Sequence, residues 1–323
     1  MRGVTDAPHT DGPALSTAED GVTRRQLLIG GGAAAALFAA AAVVGGRSWT
    51  ARSYWWRLTG AYGEPGAYPP RGDVVYQYGT TRSKYVSGDL EYGIAMPGEL
   101  ARMRHPAGRA APVCYCLPGR GRSPRGVLEG DLRLGDFAAQ AFAERGATPF
   151  VLVAVRGGDT YWHRRQSGED AMAMLLDEFI PYSRRELRLG DAAGEAVMGW
   201  SMGGYGALLA AESRPQAFRG VCAVSAALWR SYDDGVGDAF DSAADYAAHD
   251  VYAGASRLGG LPVRVDCGKQ DPFYEADKAF TEALPERPQG GFEPGGHNDA
   301  YWRRVAPPEM DFIAAALSSD RGS

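Results

Sequence analysis

The sequence predicts an α/β fold: a mostly parallel central sheet with helices on both faces and a small lid-like insertion. Three observations carry this. Short, continuously apolar segments alternate with longer ones whose apolar residues recur at helical spacing, the pattern of strands buried on both faces. A glycine-flanked serine, Gly199-Trp200-Ser201-Met202-Gly203, joins one such strand to one such helix. Finally, 323 residues with 45% hydrophobic and 23% charged content suffice for one large soluble domain or two small ones.

The elements follow in order. Residues 74–78 and 90–96 read as a first, antiparallel strand pair. Residues 112–117 form a strand, 135–145 a helix and 150–155 a strand. A long helix over 169–187 carries Met172, Leu175, Leu176, Phe179 and Ile180. Strand 195–199 precedes Ser201, and 204–211 is the helix after it. Residues 220–225 and 261–267 are two further strands, and 311–317 closes the chain as a helix. Residues 230–260 break the alternation with Asp233, Asp234, Asp238, Asp241 and Asp245. They read as an insertion over the site, a partial lid, with a solvated surface excursion as the alternative. Their spacing does not follow a calcium loop. Cys114, Cys116, Cys222 and Cys267 all fall in apolar strand segments, where small buried side chains are expected rather than a disulfide or a zinc site.

The N-terminus reads as an address. Residues 1–22 are polar and rich in Pro, Gly, Asp and Thr, the composition of unstructured chain. Arg24 and Arg25 then precede an Ala/Gly-rich apolar run over 29–44, similar to a twin-arginine export signal. A membrane anchor through residues 27–44 is the alternative. Either way the expected location is outside the cytoplasmic membrane, secreted or anchored. Arg47, Trp49, Arg52, Trp55, Trp56 and Arg57 alternate base and indole, which suits a membrane interface or packing on the domain. The expected division is a leader and signal over 1–46, a linker over 47–72 and a catalytic domain over 73–318. A net charge of −5, with no basic stripe, argues against a nucleic-acid partner.

Around Ser201 the pattern is chemical. A strand, a tight turn and a helix with serine at the apex make a nucleophile elbow, in which the glycines two residues away on each side avoid collisions between strand and helix. A serine hydroxyl needs a base, and the base needs an orienting acid. Of five histidines, His9 lies in the leader, His105 in a polar linker and His249 in the insertion. His297, in a late glycine-rich loop, is the expected base, and His163 is a candidate substrate contact. Asp271, just past strand 261–267, is the expected acid, or else the N-cap of the next helix. Asp266, inside the strand, and Asp277, on the following helix, are the weaker choices. The order Ser201, Asp271, His297 matches α/β-hydrolases and not the chymotrypsin or subtilisin orders. The backbone N–H groups of Met202 and Arg120 are the expected oxyanion donors. Trp162, Trp200, Trp229 and Trp302 are further candidate substrate contacts, with packing as the alternative.

Leu117-Pro118-Gly119-Arg120-Gly121, Phe179-Ile180-Pro181-Tyr182, the elbow, Gly268-Lys269-Gln270-Asp271 and Gly296-His297-Asn298 occur in this order. Together they resemble the esterase D and mycolyltransferase branch of the α/β-hydrolases, over residues 73–317. The resemblance implies acyl-ester chemistry on a small-molecule substrate by a Ser-Asp/Glu-His triad, with no cofactor and no metal. Pro118-Gly119 departs from the His-Gly or Asp-Gly pair of many relatives. The expected activity is an exported serine hydrolase acting on carboxylic esters. An acyltransferase using the same triad, or a binding module without turnover, are the alternatives.

Overall fold

The computed structural model describes residues 56, 58–102, 111–190 and 194–319. The leader, the Arg24-Arg25 motif, the apolar segment 27–44, most of the Arg/Trp stretch, His9 and His105 lie outside the described residues. Among the described residues, no helix is long and apolar enough to cross a membrane.

Among the described residues, eight strands form one sheet: β1 Val74–Arg82, β2 Asp89–Pro97, β3 Val113–Leu117, β4 Val151–Val155, β5 Glu195–Trp200, β6 Val221–Val224, β7 Val263–Gly268 and β8 Gln289–Glu293. Their order is β1-β2-β4-β3-β5-β6-β7-β8. β2 is antiparallel to both β1 and β4, and every other neighbouring pair is parallel. β3 to β7 are buried along their whole length because both faces are covered. Period-two alternation splits each strand between two cores. Val113, Tyr115 and Leu117 join one, and Cys114 and Cys116 the other. All four cysteines are buried and free.

The α-helices among the described residues flank the sheet or belong to the insertion: α1 Gly98–Arg102, α2 Pro124–Leu128, α3 Leu134–Arg145, α4 starting at Ala171–Ala173, α5 Met202–Ser213, α6 Ala243–Ala248, α7 Val251–Gly254, α8 Tyr274–Ala283 and α9 Asp299–Ser318. α4 runs on to Leu187 with its turns widened over Met174–Phe179 and Ser183–Leu187. Pro181 lies between them. Proline lacks an N–H and crowds the carbonyl four residues back, and the widened turns make room for its ring.

The structure adds to the sequence reading at three places. β8 was not anticipated, because Gln289-Gly290-Gly291 is neither apolar nor alternating; pairing with β7 makes it a strand. The last helix begins at Asp299 rather than 311 and passes through Pro307 and Pro308. Burial of Tyr301, Trp302, Val305, Met310, Phe312, Ile313 and Leu317 along one face holds it across the two prolines. Residues read as linker are docked in part, since the Gly66 N–H donates to the Ala300 carbonyl at 2.7 Å.

The register places the site. Leu117 lies beside Gly199, Trp200 beside Val224, Val224 beside Asp266 and Gly268 beside Glu293. β3, β5, β6, β7 and β8 therefore end at one rim, where sites form in parallel sheets.

Candidate active site

Ser201 sits between β5 and α5 with φ 55° and ψ −120°, a conformation that a side chain adopts only when its surroundings force it. They do so here. A Cβ on Gly199 would run into the Gly203 carbonyl, and one on Gly203 into the Leu117 carbonyl. The turn is this tight because strand and helix cross with only hydrogen atoms between them. The Ser201 hydroxyl stands clear at the head of α5.

The loops after β7 and β8 are zipped together. The Lys269 N–H donates to the Glu293 carbonyl at 2.8 Å, and the Gln270 N–H to the Gly295 carbonyl at 2.8 Å. The Gly295 N–H in turn donates to Gln270 Oε1 at 2.8 Å. The pairing thus continues beyond the sheet and brings Asp271 and His297 side by side. Asn298 caps α9 by accepting from the Tyr301 N–H at 3.1 Å, which fixes the residue next to His297.

His297 Nε2 lies 2.9 Å from Ser201 Oγ. His297 Nδ1 lies 2.9 Å from Asp271 Oδ2. Asp271 Oδ1 accepts the Phe273 N–H at 2.9 Å, so the N-cap geometry and the contact with His297 use different oxygens of one carboxylate. The Asp271 carboxylate is fully buried while the His297 side chain keeps 21% exposure. Phe273 and Trp302 meet the imidazole edge-on, with centroids at 5.5 and 5.1 Å. The Trp302 indole N–H is spent on Ser225 Oγ at 3.0 Å.

The loop after β3 passes against the serine. A Cβ on Gly119 would lie 3.2 Å from the Trp200 carbonyl and 3.4 Å from Ser201 Cβ. Among the described residues, neither the Met202 nor the Arg120 backbone N–H is hydrogen-bonded within the protein. Both belong to the segments that border the Ser201 hydroxyl.

The weaker acid choices have other partners. Asp266 forms a bidentate pair with Arg264 at 2.6 and 3.1 Å. Asp277, on α8, is fully buried against Cys267 and the Ala226 N–H, and burial pushes its carboxyl well above the usual range.

The candidate substrate contacts divide. Trp162, His163 and Trp200 are buried and offer no surface to a substrate, which corrects that expectation. The Trp162 ring fills the space over Gly157 and Gly206. His163 is enclosed by the insertion: its Nε2 faces the Ala239 carbonyl at 2.9 Å and its Nδ1 the Arg164 carbonyl at 3.1 Å. Trp302 is 5% exposed and backs the His297 ring. Trp229 is half-buried and meets Phe273 edge-on at 5.5 Å, with Tyr161 beyond it at 5.5 Å. Sequence reasoning missed Phe273 and Tyr161, since one aromatic among many carries no local signal of facing a site.

The acidic residues of the insertion are distributed among cations and caps. Asp238 pairs with Arg120, Asp241 with Arg165 and Asp245 with His249, while Asp234 accepts the Ser231 N–H. Two groups gather metal-ligand atoms among the described residues: His163, Asp245 and His249, and Cys222, Asp266 and Glu309. In the first both His163 nitrogens already face carbonyls, and in the second Arg264 occupies Asp266.

Comparison with known proteins agrees with this architecture. Residues 94–305 match the family model described as "Putative esterase". No curated protein matches the chain in sequence. Among solved structures, a ferulic acid esterase superposes with a TM-score of 0.65 at 20% identity, covering 77% of this chain and 100% of that one. An S-formylglutathione hydrolase from Agrobacterium tumefaciens gives 0.61 at 15% identity, covering 78% and 99%. The fluorophosphonate-binding serine hydrolase F from Staphylococcus aureus gives 0.60 at 16% identity, covering 75% and 99%.

Proposed function

The chain belongs to this esterase family, with an α/β-hydrolase fold, and is an ester hydrolase; from that premise we propose that it cleaves carboxylic esters through a covalent acyl-enzyme on Ser201. The observation that supports this most is the unbroken run of hydroxyl, imidazole and carboxylate, with 2.9 Å at each contact.

In this reading Ser201 Oγ attacks the acyl carbon of a small-molecule ester while His297 Nε2 takes its proton. The carbonyl π electrons move to the oxygen, which is held by the N–H groups of Met202 and Arg120. The tetrahedral adduct collapses, the ester C–O bond breaks, and the departing alkoxide receives the proton from His297. A water molecule then gives a proton to His297 and attacks the acyl carbon. The Ser201 ester bond breaks, Oγ is reprotonated, and a carboxylic acid leaves. Asp271 keeps the Nδ1–H tautomer in place and stabilises the transient imidazolium. Phe273 and Trp229 give the acyl or alcohol group an apolar wall.

The test is hydrolysis of p-nitrophenyl esters by the parent protein and by Ser201→Ala, together with fluorophosphonate labelling. The parent turns over and labels, and the variant loses about 10⁴–10⁶-fold in kcat and the label. A Ser201→Ala protein hydrolysing at the parent rate sinks the mechanism.

We also propose export, on Arg24-Arg25 and the apolar run that follows. Replacing both arginines by lysine is expected to leave the protein inside the cell on fractionation. An unchanged distribution sinks that proposal.

A further inference from the structure

The loop that borders Ser201 is gripped by carboxylates from separate parts of the fold. The Gly121 N–H donates to Asp159 Oδ1 at 2.9 Å. The Arg122 guanidinium donates to Asp131 at 3.1 Å and to Asp299. The Arg120 guanidinium makes two parallel bonds to Asp238, at 2.8 and 2.5 Å. Asp238 belongs to the insertion, not to the sheet, and lies 118 residues further along the chain.

The insertion is fastened at the same point. Arg165, in the segment after β4, donates to the Asp238 carbonyl at 3.0 Å and the Ala239 carbonyl at 3.1 Å. It also holds the Asp241 carboxylate at 3.1 and 2.8 Å. Asp238 is thus held by its backbone from one side while its side chain holds Arg120 on the other. Tyr161 and Asp159 are the remaining titratable neighbours of the Arg120 guanidinium.

The Arg120–Asp238 pair has little to do with stability. Its side chains are 48% and 67% exposed, and exposed pairs contribute little. What a bidentate guanidinium–carboxylate pair supplies is direction. Direction matters here because Arg120 lies between Gly119 and Gly121, and Gly121 has φ 72°. A backbone N–H flanked by glycines samples many orientations, yet an oxyanion donor is useful only within a narrow distance of the developing charge.

We propose that Asp238 is a positioning residue: by clamping the Arg120 guanidinium it fixes the backbone N–H of Arg120 at the oxyanion, so that the insertion completes the oxyanion hole. This rests on the Ser201 esterase reading.

The experiment is steady-state p-nitrophenyl ester hydrolysis by Asp238→Asn, Asp238→Glu, Arg120→Met and the Asp238→Asn/Arg120→Met double variant. Thermal midpoints are measured in parallel. Arg120→Met keeps the backbone N–H and removes the clamp without touching the insertion, and it also ends the guanidinium's interaction with Tyr161. Complete loss of one oxyanion donor costs about 10²–10³ in kcat, so a misplaced one is expected to cost about 10–50-fold. Asp238→Asn should show that loss in kcat with KM within about twofold and an unshifted midpoint. Asp238→Glu should recover most of the rate. Arg120→Met should lose as much as Asp238→Asn, and the double variant no more than either, because all three remove one interaction. Fluorophosphonate labelling should slow in parallel, since the phosphoryl oxygen occupies the same hole.

An Asp238→Asn kcat within twofold of the parent overturns the proposal. So does a loss carried by KM alone, or additive losses in the double variant. If Ser201→Ala is inactive while Asp238→Asn is unaffected, only the positioning role fails. If Ser201→Ala stays active, the esterase mechanism itself fails.

Discussion

Two clusters among the described residues pair histidine with aspartate, and their geometries differ. In one, His297 has Asp271 on Nδ1 and the Ser201 hydroxyl on Nε2, each at 2.9 Å. In the other, His163 and His249 stack with centroids 4.4 Å apart, and Asp245 lies 3.0 Å from His249 and 3.6 Å from His163. The residue types match; the far nitrogen differs. His297 points its second nitrogen at a group that can give up a proton. His163 points both nitrogens at backbone carbonyls, which can only accept. The first ring can shuttle a proton, and the second can only hold the insertion to the segment after β4. A histidine–aspartate contact is therefore not a catalytic signature until the partner of the other nitrogen is known.

Variants sharpen the contrast, in order of expected effect. His297→Ala should lose about 10⁴–10⁶-fold in kcat with little change in thermal midpoint. Asp271→Asn should lose about 10⁴-fold, because the amide favours the wrong imidazole tautomer. His163→Ala should do the reverse. It empties the buried space in which His163 stacks on Phe240 and His249, which lowers stability by about 2–5 kcal/mol in denaturant unfolding, while folded molecules still turn over. If His163→Ala were as inactive as His297→Ala with an unshifted midpoint, the contrast would break.

pH separates the clusters further. Burial lowers the pKa of His163, only partly opposed by the carbonyls it faces. The unfolded chain then binds the proton more readily than the folded one, so this residue's contribution to stability is lost as pH falls below about 6.5. The thermal midpoint of the parent should drop over that range, and His163→Gln should flatten this part of the profile. Asp277 has the opposite sign: its carboxyl is raised by burial, so its contribution is present at low pH and lost as pH rises above the ordinary aspartate value. Asp277 makes no contact with His297, whose Nδ1 faces Asp271, so Asp277→Asn should change kcat by less than about threefold, against the 10⁴-fold expected at Asp271. An equal loss at both positions would show that His297 does not rely on Asp271 alone.

Much of the fold was legible because its causes are local. Continuous apolar runs as short as Val151–Val155 fit strands covered on both faces, and the Gly199 side of the elbow is required by a collision within a few residues of Ser201. Where causes were not local, the reading missed. Pro307 and Pro308 signal a break, yet the buried face of α9 carries the helix through them. Gln289–Glu293 has no strand signal, and only pairing with β7 makes it one. Trp162 and His163 follow a strand near the site, as substrate contacts would, and are instead core and insertion anchor.

By itself, then, the sequence determined the strand–helix alternation, the strained serine, and the identities and chain order of Ser201, Asp271 and His297. Steric patterning over a few residues suffices for those. Tertiary structure alone decided the distances among the three, the partners of each histidine, and the pairing of Arg120 with Asp238 out of six aspartates in residues 230–260. Ion-pair partners on separate loops have no period and no spacing rule. They meet because the strand register carries β3, β5, β7 and β8 to one rim and Arg165 ties the insertion down beside it.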